Sequence, residues 1–389
     1  MSFESNTKLD IDGVAEFLNL PSSKVKKLAS KKRILQNWGK YQNLFRFDKK
    51  VSKIESGTVL YQNNGYFELI RGFPKIKRAM AVEPAVKSHF KNSGTVSVEE
   101  KMNGYNVRVA SINGDVTAFT RSGIVCPYTT ERAKYLIGQE FFEKHPEFVL
   151  YGEMVGPDNP YVPKNIYNIE SLDFFIFDIR YKNTGEPLPV YERRKLMNDY
   201  NLNQVQLFGE YKIEEAPKNI TKIIKEIGKQ EREGVVIKDP QMRINAIKYT
   251  SSESNCADLR EGFKFYNDFG RDYFYSRVIR EGFQSVELGE SEEEFQERCL
   301  QLGRSILEPM SRTMRKVAQG EEVHDDVQIR VKEPETIYEF EKHLKRMGID
   351  AKFGAPQQVG DEYLVSIRKL NQSTNDKTKA IWNGSLWKS

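Results

Sequence analysis

A lysine stands beside a short polar turn in Glu-Glu-Lys-Met-Asn-Gly-Tyr-Asn-Val-Arg, residues 99–108. A deprotonated lysine amine can attack the α-phosphate of a nucleotide and hold the nucleotidyl group as a phosphoramidate, which divides one difficult transfer into two easier ones. Arginine cannot replace it, because its side chain stays protonated in proteins. Lys101 is therefore a candidate covalent nucleophile, and Gly104 would let the backbone approach a ligand closely. The alternative is an exposed Asn-Gly hairpin tip that happens to follow a lysine.

Two segments downstream could serve the same chemistry. Arg121 ends a predicted strand over 115–120 and could hold a phosphate in a bidentate fork, although it could also be an ordinary strand-end arginine. Glu153 interrupts the apolar run 148–156. A buried carboxylate needs a cation or hydrogen-bond donors, and a metal ion or a pair of sugar hydroxyls would meet that need.

Two further segments complete the pattern. The aromatic-rich strand predicted over 172–179 has phenylalanines that are typical of a core, although one of them could stack on a base. Beyond it, two short apolar strands carry Glu233, Lys238 and Lys248. A carboxylate and lysines on such strands suit a site for both Mg²⁺ and phosphate, because the metal prefers oxygen ligands and phosphates attract cations. Each residue alone could lie on the surface, so the order of the segments is the evidence.

That order is Lys-x-Asn-Gly, Arg-Ser-Gly, Gly-Glu, Phe-Asp and Glu-Gly-Val-Val-Ile-Lys, followed by a further lysine strand. It resembles the covalent nucleotidyltransferase superfamily of ATP-dependent ligases and capping enzymes, at motif level over residues 95–250. Asn103 and Asn106 stand where many DNA ligases and capping enzymes carry aspartate and arginine, and Asn106 is similar to the RNA ligases. The segment 71–76 and the long tail beyond Lys248 resemble the archaeal homodimeric ATP-dependent RNA ligases, over nearly the whole chain.

The resemblance implies roles at the nucleotide. Lys101 would form a lysyl-AMP adduct, beside the turn at Gly104. Glu153 would hold the ribose hydroxyls. Phe177 would stack on the adenine, with Phe175 as the fallback.

It also implies roles around the phosphates. Glu233 would bind or position Mg²⁺ or Mn²⁺. Lys238 and Lys248 would contact the α-phosphate and neutralise charge as pyrophosphate leaves. Asn106 and Arg121 would act on the RNA 5′-phosphate or the adenylate in later steps.

The implied activity is ATP-dependent RNA ligation. The enzyme lysine takes AMP from ATP, AMP passes to the 5′-phosphate of an RNA strand, and a 3′-hydroxyl displaces AMP to form the phosphodiester. The implied partners are RNA with those ends and a second copy of the chain. A DNA ligase, a capping-type enzyme and a noncatalytic RNA-binding protein remain alternatives. One position departs from the pattern: the expected Lys-x-Lys reads Lys248-Tyr249-Thr250, which leaves the second lysine without a counterpart.

Composition agrees with this hypothesis. A net charge of +5 fits a polyanionic partner. Three cysteines without metal-ligand spacing favour a reducing compartment. No apolar run reaches about 18 residues, and residues 1–4 are polar, so we expect a cytoplasmic protein without a signal peptide or membrane contact. Scattered histidines and the absence of a Gly-x-x-x-x-Gly-Lys-Ser/Thr loop disfavour a zinc site, a histidine triad and a P-loop.

The elements that must position these residues predict an α+β protein of several domains. We expect a small N-terminal module over 1–70, an antiparallel-sheet nucleotidyltransferase (adenylation) domain over 71–250, an aromatic-rich helical dimerisation domain over 251–318, and a small α/β C-terminal domain over 319–389. The polar end from Asn371 onward is expected to be mobile.

Overall fold

The structure is a computed structural model that describes residues 8–163 and 166–387. Residues 1–4, on which the expectation of a missing signal peptide rests, lie outside the described residues. Among the helices described, none is long and apolar enough to cross a membrane.

The N-terminal region is a small antiparallel sheet covered by two helices. Asn64 and Gly65 form the tip of a hairpin with positive φ angles of 47° and 80°, which suit a tight turn. In chain order the elements are α1 (Ile11–Phe17), α2 (Ser22–Ser30), β1 (Ile34–Gln36), a 3₁₀ turn (Gly39–Tyr41), β2 (Leu44–Phe47), β3 (Val59–Asn63) and β4 (Tyr66–Ile70).

Two sheets form the central region. The first half of this region contains β5 (Lys77–Arg78), α3 (Val82–His89), β6 (Thr95–Lys101), β7 (Tyr105–Ile112), β8 (Asp115–Thr120), α4 (Pro127–Ile137), α5 (Glu140–Lys144) and β9 (Phe148–Val155). The second half contains β10 (Asp173–Tyr181), α6 (Val190–Asp199), β11 (Leu207–Lys212), α7 (Ala216–Gly228), β12 (Gly234–Lys238) and β13 (Ile247–Thr250). One sheet, here the lysine sheet, has the order β11-β6-β12-β13-β5, and the other, the glutamate sheet, has the order β10-β9-β7-β8.

The lysine sheet has one apolar face and one polar face, because successive side chains of a strand point to opposite sides. The apolar face packs on α3 and on the isoleucine-rich side of α7. Its core residues include Val96, Val98, Val235, Ile237, Ile220, Ile224 and Ile227. The other face is left free to carry polar side chains.

Helices dominate the region after β13. Ser291 caps α10 with a full capping box, and its hydroxyl accepts from the Glu294 N–H. The elements are α8 (Ser252–Lys264), α9 (Arg271–Leu288), α10 (Glu292–Ala318), β14 (His324–Val331), α11 (Pro334–Arg346), β15 (Ala351–Phe353), β16 (Gln357–Val359), β17 (Glu362–Leu370) and α12 (Gln372–Trp382). The last sheet has the order β14-β17-β15, and β16 also pairs with β17.

The expectation of a mobile end from Asn371 is wrong for residues 372–382. Residues 372–382 form α12, and Thr374 Oγ1 donates a hydrogen bond to Asp268 Oδ2 at 2.5 Å. Trp382 Nε1 donates to the Met314 carbonyl at 3.2 Å. These contacts tie the helix to the helical region, which a polar composition did not indicate.

The C-terminal sheet shares a hydrophobic core with the glutamate sheet. One cluster of buried residues includes Val107 and Leu150 from the central region together with Ile329 and Phe340. Asp158, which is fully buried, accepts a hydrogen bond from Gln328 at 2.6 Å across this boundary. The fold is thus a mixed α and β architecture with antiparallel sheets, as predicted. The predicted domain limits fall after β4, β13 and α10, and the division itself stays a prediction.

Candidate active site

Lys101 lies where the chain crosses from one sheet to the other. It ends β6, which pairs with β11 and β12, whereas β7 pairs with β8 and β9. The hairpin-tip alternative is therefore wrong, since the strands before and after the turn are not partners. The Lys101 side chain is 19% exposed, and its Nζ lies 2.5 Å from Glu233 Oε2.

Gly104 serves packing in this turn. A Cβ at this position would lie 2.2 Å from the Met154 carbonyl oxygen, so only glycine lets the turn approach β9 this closely. Gly104 does not line the cleft described below. The turn is also held by the Asn103 N–H, which donates to the Tyr167 hydroxyl at 2.9 Å. The structure thus shows that the glycine allows approach to a neighbouring strand, and the predicted approach to a ligand stays a prediction.

A cleft between the two sheets brings most of the predicted residues together. The polar face of the lysine sheet forms one wall and the ends of β7, β8, β9 and β10 form the other. The predicted residues that line it are Lys101, Asn106, Arg121, Glu153, Phe177, Lys238 and Lys248. Glu233 reaches the cleft through its ion pair with Lys101.

Strand register sets the spacing of the lysines. Gly234 pairs with Lys101 on one side and with Thr250 on the other, and Val236 pairs with Lys248. Since neighbouring strands lie about 4.8 Å apart, Lys101 and Lys248 project from the same face within reach of one phosphate group.

Lys238 is held at the buried end of the cleft by groups that the sequence analysis did not single out. Its Nζ donates to Glu99 Oε2 at 2.7 Å and to the Phe177 carbonyl at 2.6 Å. Glu99 is fully buried and also pairs with Arg193 of α6. Burial would raise the pKa of Glu99, but Lys238 and Arg193 outweigh it and lower the pKa to about 2. The carboxylate is therefore ionised, and three cations surround it, the third being Arg194, whose Nη1 lies 3.3 Å from Glu99 Oε1.

Glu99 could have been predicted from the sequence, whereas Arg193 could not. Glu99 lies two residues before Lys101, so strand alternation places it on the same face, and that signal was available. Arg193 comes from a helix far along the chain, and nothing local marks it.

Two polar atoms of the glutamate sheet face the cleft without partners. Asn106 and Glu153 lie opposite each other on β7 and β9. Asn106 Oδ1 and Glu153 Oε2 are buried and have no hydrogen-bond partner among the described residues. Burial, and the nearby Glu233, raise the pKa of Glu153 to about 7, against the pull of Lys101. Orphaned acceptors in a cleft fit a ligand that brings hydroxyl or amino donors.

A β-bulge directs Phe177 into the cleft. The pairing of β10 with β9 shifts register between Ile176 and Asp178, so Phe177 is the extra residue. Its ring meets Phe73 edge to face at 5.1 Å between centroids. Phe175 and Phe177 both pack against the cluster that contains Met102, but Phe175 is absent from the cleft lining. Of the two phenylalanines, Phe177 is the one placed to stack on a base.

Lys248 and Arg121 form the open end of the site. Partial burial, and repulsion from Lys101 and Arg78, lower the pKa of Lys248 to about 8. Arg121 follows β8 and is exposed at the rim. Among the described residues, no carboxylate lies within ion-pair distance of either side chain.

The carboxylates fit a divalent cation that arrives with a nucleotide. Glu153 and Glu233 supply hard oxygen atoms near Lys101. No group of three or more His, Cys, Asp or Glu in the described part of the chain could enclose a metal by itself. Mg²⁺ is commonly bound by one or two carboxylates with substrate phosphates and water, so this donor set suits it.

Comparison with known proteins gives matches along the chain. A family model described as RNA ligase matches residues 94–250, and one described as the C-terminal region of ligase Pab1020 matches residues 261–385. The first spans every predicted site residue.

Similar proteins match nearly the full length. An uncharacterized protein of Methanocaldococcus jannaschii is 38% identical over 386 residues, which are 97% of each chain. A solved structure of an archaeal ATP-dependent RNA ligase is 42% identical, with a TM-score of 0.92 over 98% of this chain and 100% of that one. A structure from Aquifex aeolicus, provisionally named as an ATP-dependent DNA ligase, is 25% identical, with a TM-score of 0.88 over 95% and 100% of the two chains.

Proposed function

Because this chain belongs to the archaeal ATP-dependent RNA ligase family, we propose that it uses ATP to join 5′-phosphate and 3′-hydroxyl RNA ends through a lysyl-AMP intermediate. The observation that carries the proposal is the position of Lys101. Its amine lies at the crossing between the sheets, beside Glu233 and on the same sheet face as Lys248. A nucleophile, a carboxylate and a phosphate-binding cation thus meet at one point.

In the first step the Lys101 amine attacks the α-phosphorus of ATP. A nitrogen–phosphorus bond forms as the bond from that phosphorus to the bridging oxygen breaks, and pyrophosphate leaves with the electron pair. The proton that the amine must lose has Glu233 Oε2 as a neighbouring acceptor at 2.5 Å. Lys248 offers positive charge beside the α-phosphate, which stabilises the charge that develops there.

The nucleoside would lie toward the buried end of the cleft. Phe177 offers its ring to the adenine, and the orphaned Oε2 of Glu153 accepts from the ribose hydroxyls. Lys238 is proposed to contact the α-phosphate, and its bonds to Glu99 and the Phe177 carbonyl hold it beside that ring. These positions would orient the α-phosphate toward Lys101.

A divalent cation, Mg²⁺ or Mn²⁺, would enter with the triphosphate and be held by Glu233, with Glu153 within reach. When bound, it neutralises phosphate charge and polarises phosphoryl oxygens.

Asn106 and Arg121 would act after adenylation. Arg121 stands at the rim, where a 5′-phosphate would enter, and a guanidinium can bind two phosphate oxygens at once. Asn106 faces Glu153 deeper in the cleft and could contact the adenylate. Both would hold the RNA 5′ end in line for AMP transfer and for displacement of AMP by a 3′-hydroxyl.

The first experiment measures the covalent step directly. The protein is incubated with Mg²⁺ and ATP labelled on the α-phosphate, beside labelled GTP, and is then run on a denaturing gel. We expect label on the wild type from ATP only, none on Lys101→Ala or Lys101→Arg, and normal label on the exposed-lysine control Lys77→Ala. Label on Lys101→Ala, or none on the wild type, would contradict the assignment.

A second stage identifies the polymer. The labelled enzyme is offered 5′-phosphorylated RNA and a DNA of the same sequence, with products resolved as circles and joined strands. Sealing of RNA in preference to DNA is expected. Equal or better sealing of DNA would instead favour the DNA ligase alternative, and labelling without sealing of either would favour a capping-type activity.

We also propose that the chain forms a homodimer through α9 and α10. Large apolar side chains stand exposed there, among them Val286 at 83%, Tyr275 at 68% and Leu307 at 60% exposure. Clustered exposed apolar residues commonly mark protein interfaces. Light scattering should give a dimer for the wild type, a monomer for Val286→Glu combined with Leu307→Glu, and a dimer for the control Tyr66→Glu, which changes an exposed ring elsewhere. A monomeric wild type would refute the proposal.

A further inference from the structure

The position of the absent second lysine in Lys248-Tyr249-Thr250 is well defined in the structure. Thr250 is the partner of Gly234, whose other partner is Lys101. A long cationic side chain at 250 would therefore project from the same sheet face as Lys101, two strands away. Threonine cannot supply that charge, so either the site lacks it or another residue provides it.

Arg78 reaches this position from the neighbouring strand. β5 runs parallel to β13 at the edge of the lysine sheet, with Arg78 in register with Lys248, so their side chains share one face. The guanidinium turns toward Thr250, and its Nη1 donates to the Thr250 hydroxyl at 2.8 Å. That hydroxyl donates onward to Asn255 Oδ1 at 3.2 Å. Thr250 thus orients the longer, cationic side chain of Arg78 on the neighbouring strand.

A second arginine approaches the same point from α9. Arg280 Nη1 donates to Asn255 Oδ1 at 3.1 Å, and its Nε is buried without a hydrogen-bond partner in the described part of the chain. Asn255 and Thr250 therefore connect Arg280 to Arg78.

This cationic group makes no ion pair in the described part of the chain, although Glu233 and Asp258 lie near enough to raise the pKa of both arginines. Within residues 8–163 and 166–387, no carboxylate lies within ion-pair distance of Arg78, Arg280 or Lys248. Burial lowers the pKa of Arg78, and burial together with repulsion from Arg78 lowers that of Arg280 to about 10. Arg277, one turn before Arg280, is by contrast paired with Asp258 at 2.7 Å. Unpaired, half-buried cations that converge on one point are suited to an anionic ligand.

We infer that Arg78 provides the charge of the absent second lysine and binds the β- and γ-phosphates of ATP, with Arg280 behind it, so that it stabilises pyrophosphate as it leaves. The inference rests on the proposed function. With the base near Phe177 and the α-phosphate between Lys101 and Lys248, the rest of the triphosphate continues toward the sheet edge, where Arg78 lies. In this step the bond between the α-phosphorus and the bridging oxygen breaks, and the electron pair leaves on pyrophosphate beside the arginine.

The role predicts a loss confined to the ATP-dependent step. Sealing of an RNA that already carries a 5′-adenylate needs neither ATP nor pyrophosphate. Arg78→Met should therefore slow lysyl-AMP formation about 10- to 100-fold, the range for a lost hydrogen bond to a charged group, and raise the pyrophosphate concentration needed to reverse it. Sealing of pre-adenylated RNA should stay within about twofold of the wild type, since no charged contact to that substrate is lost.

Matched variants separate this role from a structural one. Arg78→Lys should retain part of the activity, and Lys77→Ala, which changes the exposed neighbour on the opposite face, should retain all of it. The decisive variant is Arg78→Met combined with Thr250→Lys, which restores a lysine at the expected position and should recover lysyl-AMP formation at least tenfold over Arg78→Met alone.

Three outcomes would overturn the inference. The first is unchanged lysyl-AMP formation in Arg78→Met. The second is an equal loss in the sealing of pre-adenylated RNA, which would place Arg78 on the RNA. The third is a lack of any recovery on adding Thr250→Lys while the melting temperature matches the wild type. Failure of the proposed function would appear differently, as an unlabelled wild type.

Discussion

The two ends of the cleft differ in whether their cationic side chains form ion pairs. At the buried end, the compensated group consists of Lys238, Arg193 and Arg194 around the ionised Glu99. At the open end, the group without ion pairs among the described residues consists of Lys248, which lines the cleft, and of Arg78 and Arg280, which lie beside it and outside the cleft lining. Both groups carry two or more cations on the path proposed for one nucleotide.

This difference indicates that the two ends have different roles in binding the nucleotide. A buried cation whose charge is already balanced is fixed in place and contributes geometry, because its carboxylate holds it. A cation without a partner costs folding energy but keeps its charge available for a ligand. The buried end therefore positions the nucleoside side of the cleft, and the open end receives phosphate. Substitutions at the two ends should accordingly both reduce activity while shifting stability in opposite directions.

The largest effect is expected when the compensated group loses its carboxylate. Glu99→Gln leaves Lys238 and Arg193 buried without counter-charge, and breaking a buried ion pair in this way costs about 3 to 5 kcal/mol. Denaturant unfolding at pH 7 measures the loss. The control Glu100→Gln removes the adjacent carboxylate, whose partner Arg232 reaches solvent, and should cost less.

The pH dependence of stability gives a second test of the role of Glu99. The pKa of Glu99 is depressed in the folded state, so its stabilising contribution is present above about pH 4.5 and lost as the pH falls toward about 2. The difference in the free energy of unfolding between the wild type and Glu99→Gln should become smaller as the pH falls from about 4.5 to about 2. If this difference in the free energy of unfolding is constant from pH 7 to 3, the carboxylate acts through packing and not through charge.

Much of this site could be predicted from the sequence, for a physical reason. Lys101, Glu233 and Lys248 lie at the ends or middle of short strands that pair side by side, so motif order along the chain becomes proximity in the sheet. The same logic applied to Glu153, on a strand of the opposite wall.

The parts that were not predicted depend on long-range register. Nothing near Arg78 or Arg193 in the sequence shows that one lies beside Lys248 and the other beside Glu99. Phe177 was preferred over Phe175 through the resemblance, and the β-bulge that places it in the cleft lining is a feature that strand alternation cannot reveal. The helix at the C-terminal end was missed because its stability comes from packing on the helical region.

A smaller effect, of opposite sign, is expected at Glu153 on the other wall. Its raised pKa means that the folded protein holds a proton that the unfolded chain has lost, so stability falls as the pH rises from about 4.5 through about 7. Glu153→Gln removes the buried charge and should be about 1 to 3 kcal/mol more stable than the wild type at pH 8, and about equal at pH 4.5. It should nevertheless label poorly with ATP, since it offers no carboxylate to the ribose.

The measurement is thermal or denaturant unfolding at both pH values, beside Glu143→Gln, which changes an exposed carboxylate of α5. A stability difference that does not depend on pH would contradict the titration of Glu153. Normal ATP labelling by Glu153→Gln would contradict its proposed contact with the nucleotide, and would leave Glu233 as the carboxylate that matters in the cleft.

The smallest effect concerns the charge of Lys248 at the open end. Because its pKa is lowered to about 8, the free enzyme loses this positive charge as the pH rises above 8. We expect kcat/KM for ATP in lysyl-AMP formation to fall about tenfold from pH 8 to 9.5, as a single protonation equilibrium requires. Lys248→Arg keeps its charge across this range, so its profile should be flatter even if its rate is lower. If the variant shows the same fall, the titrating group lies elsewhere, and the open end would attract phosphate through Arg78 and Arg280 without help from Lys248.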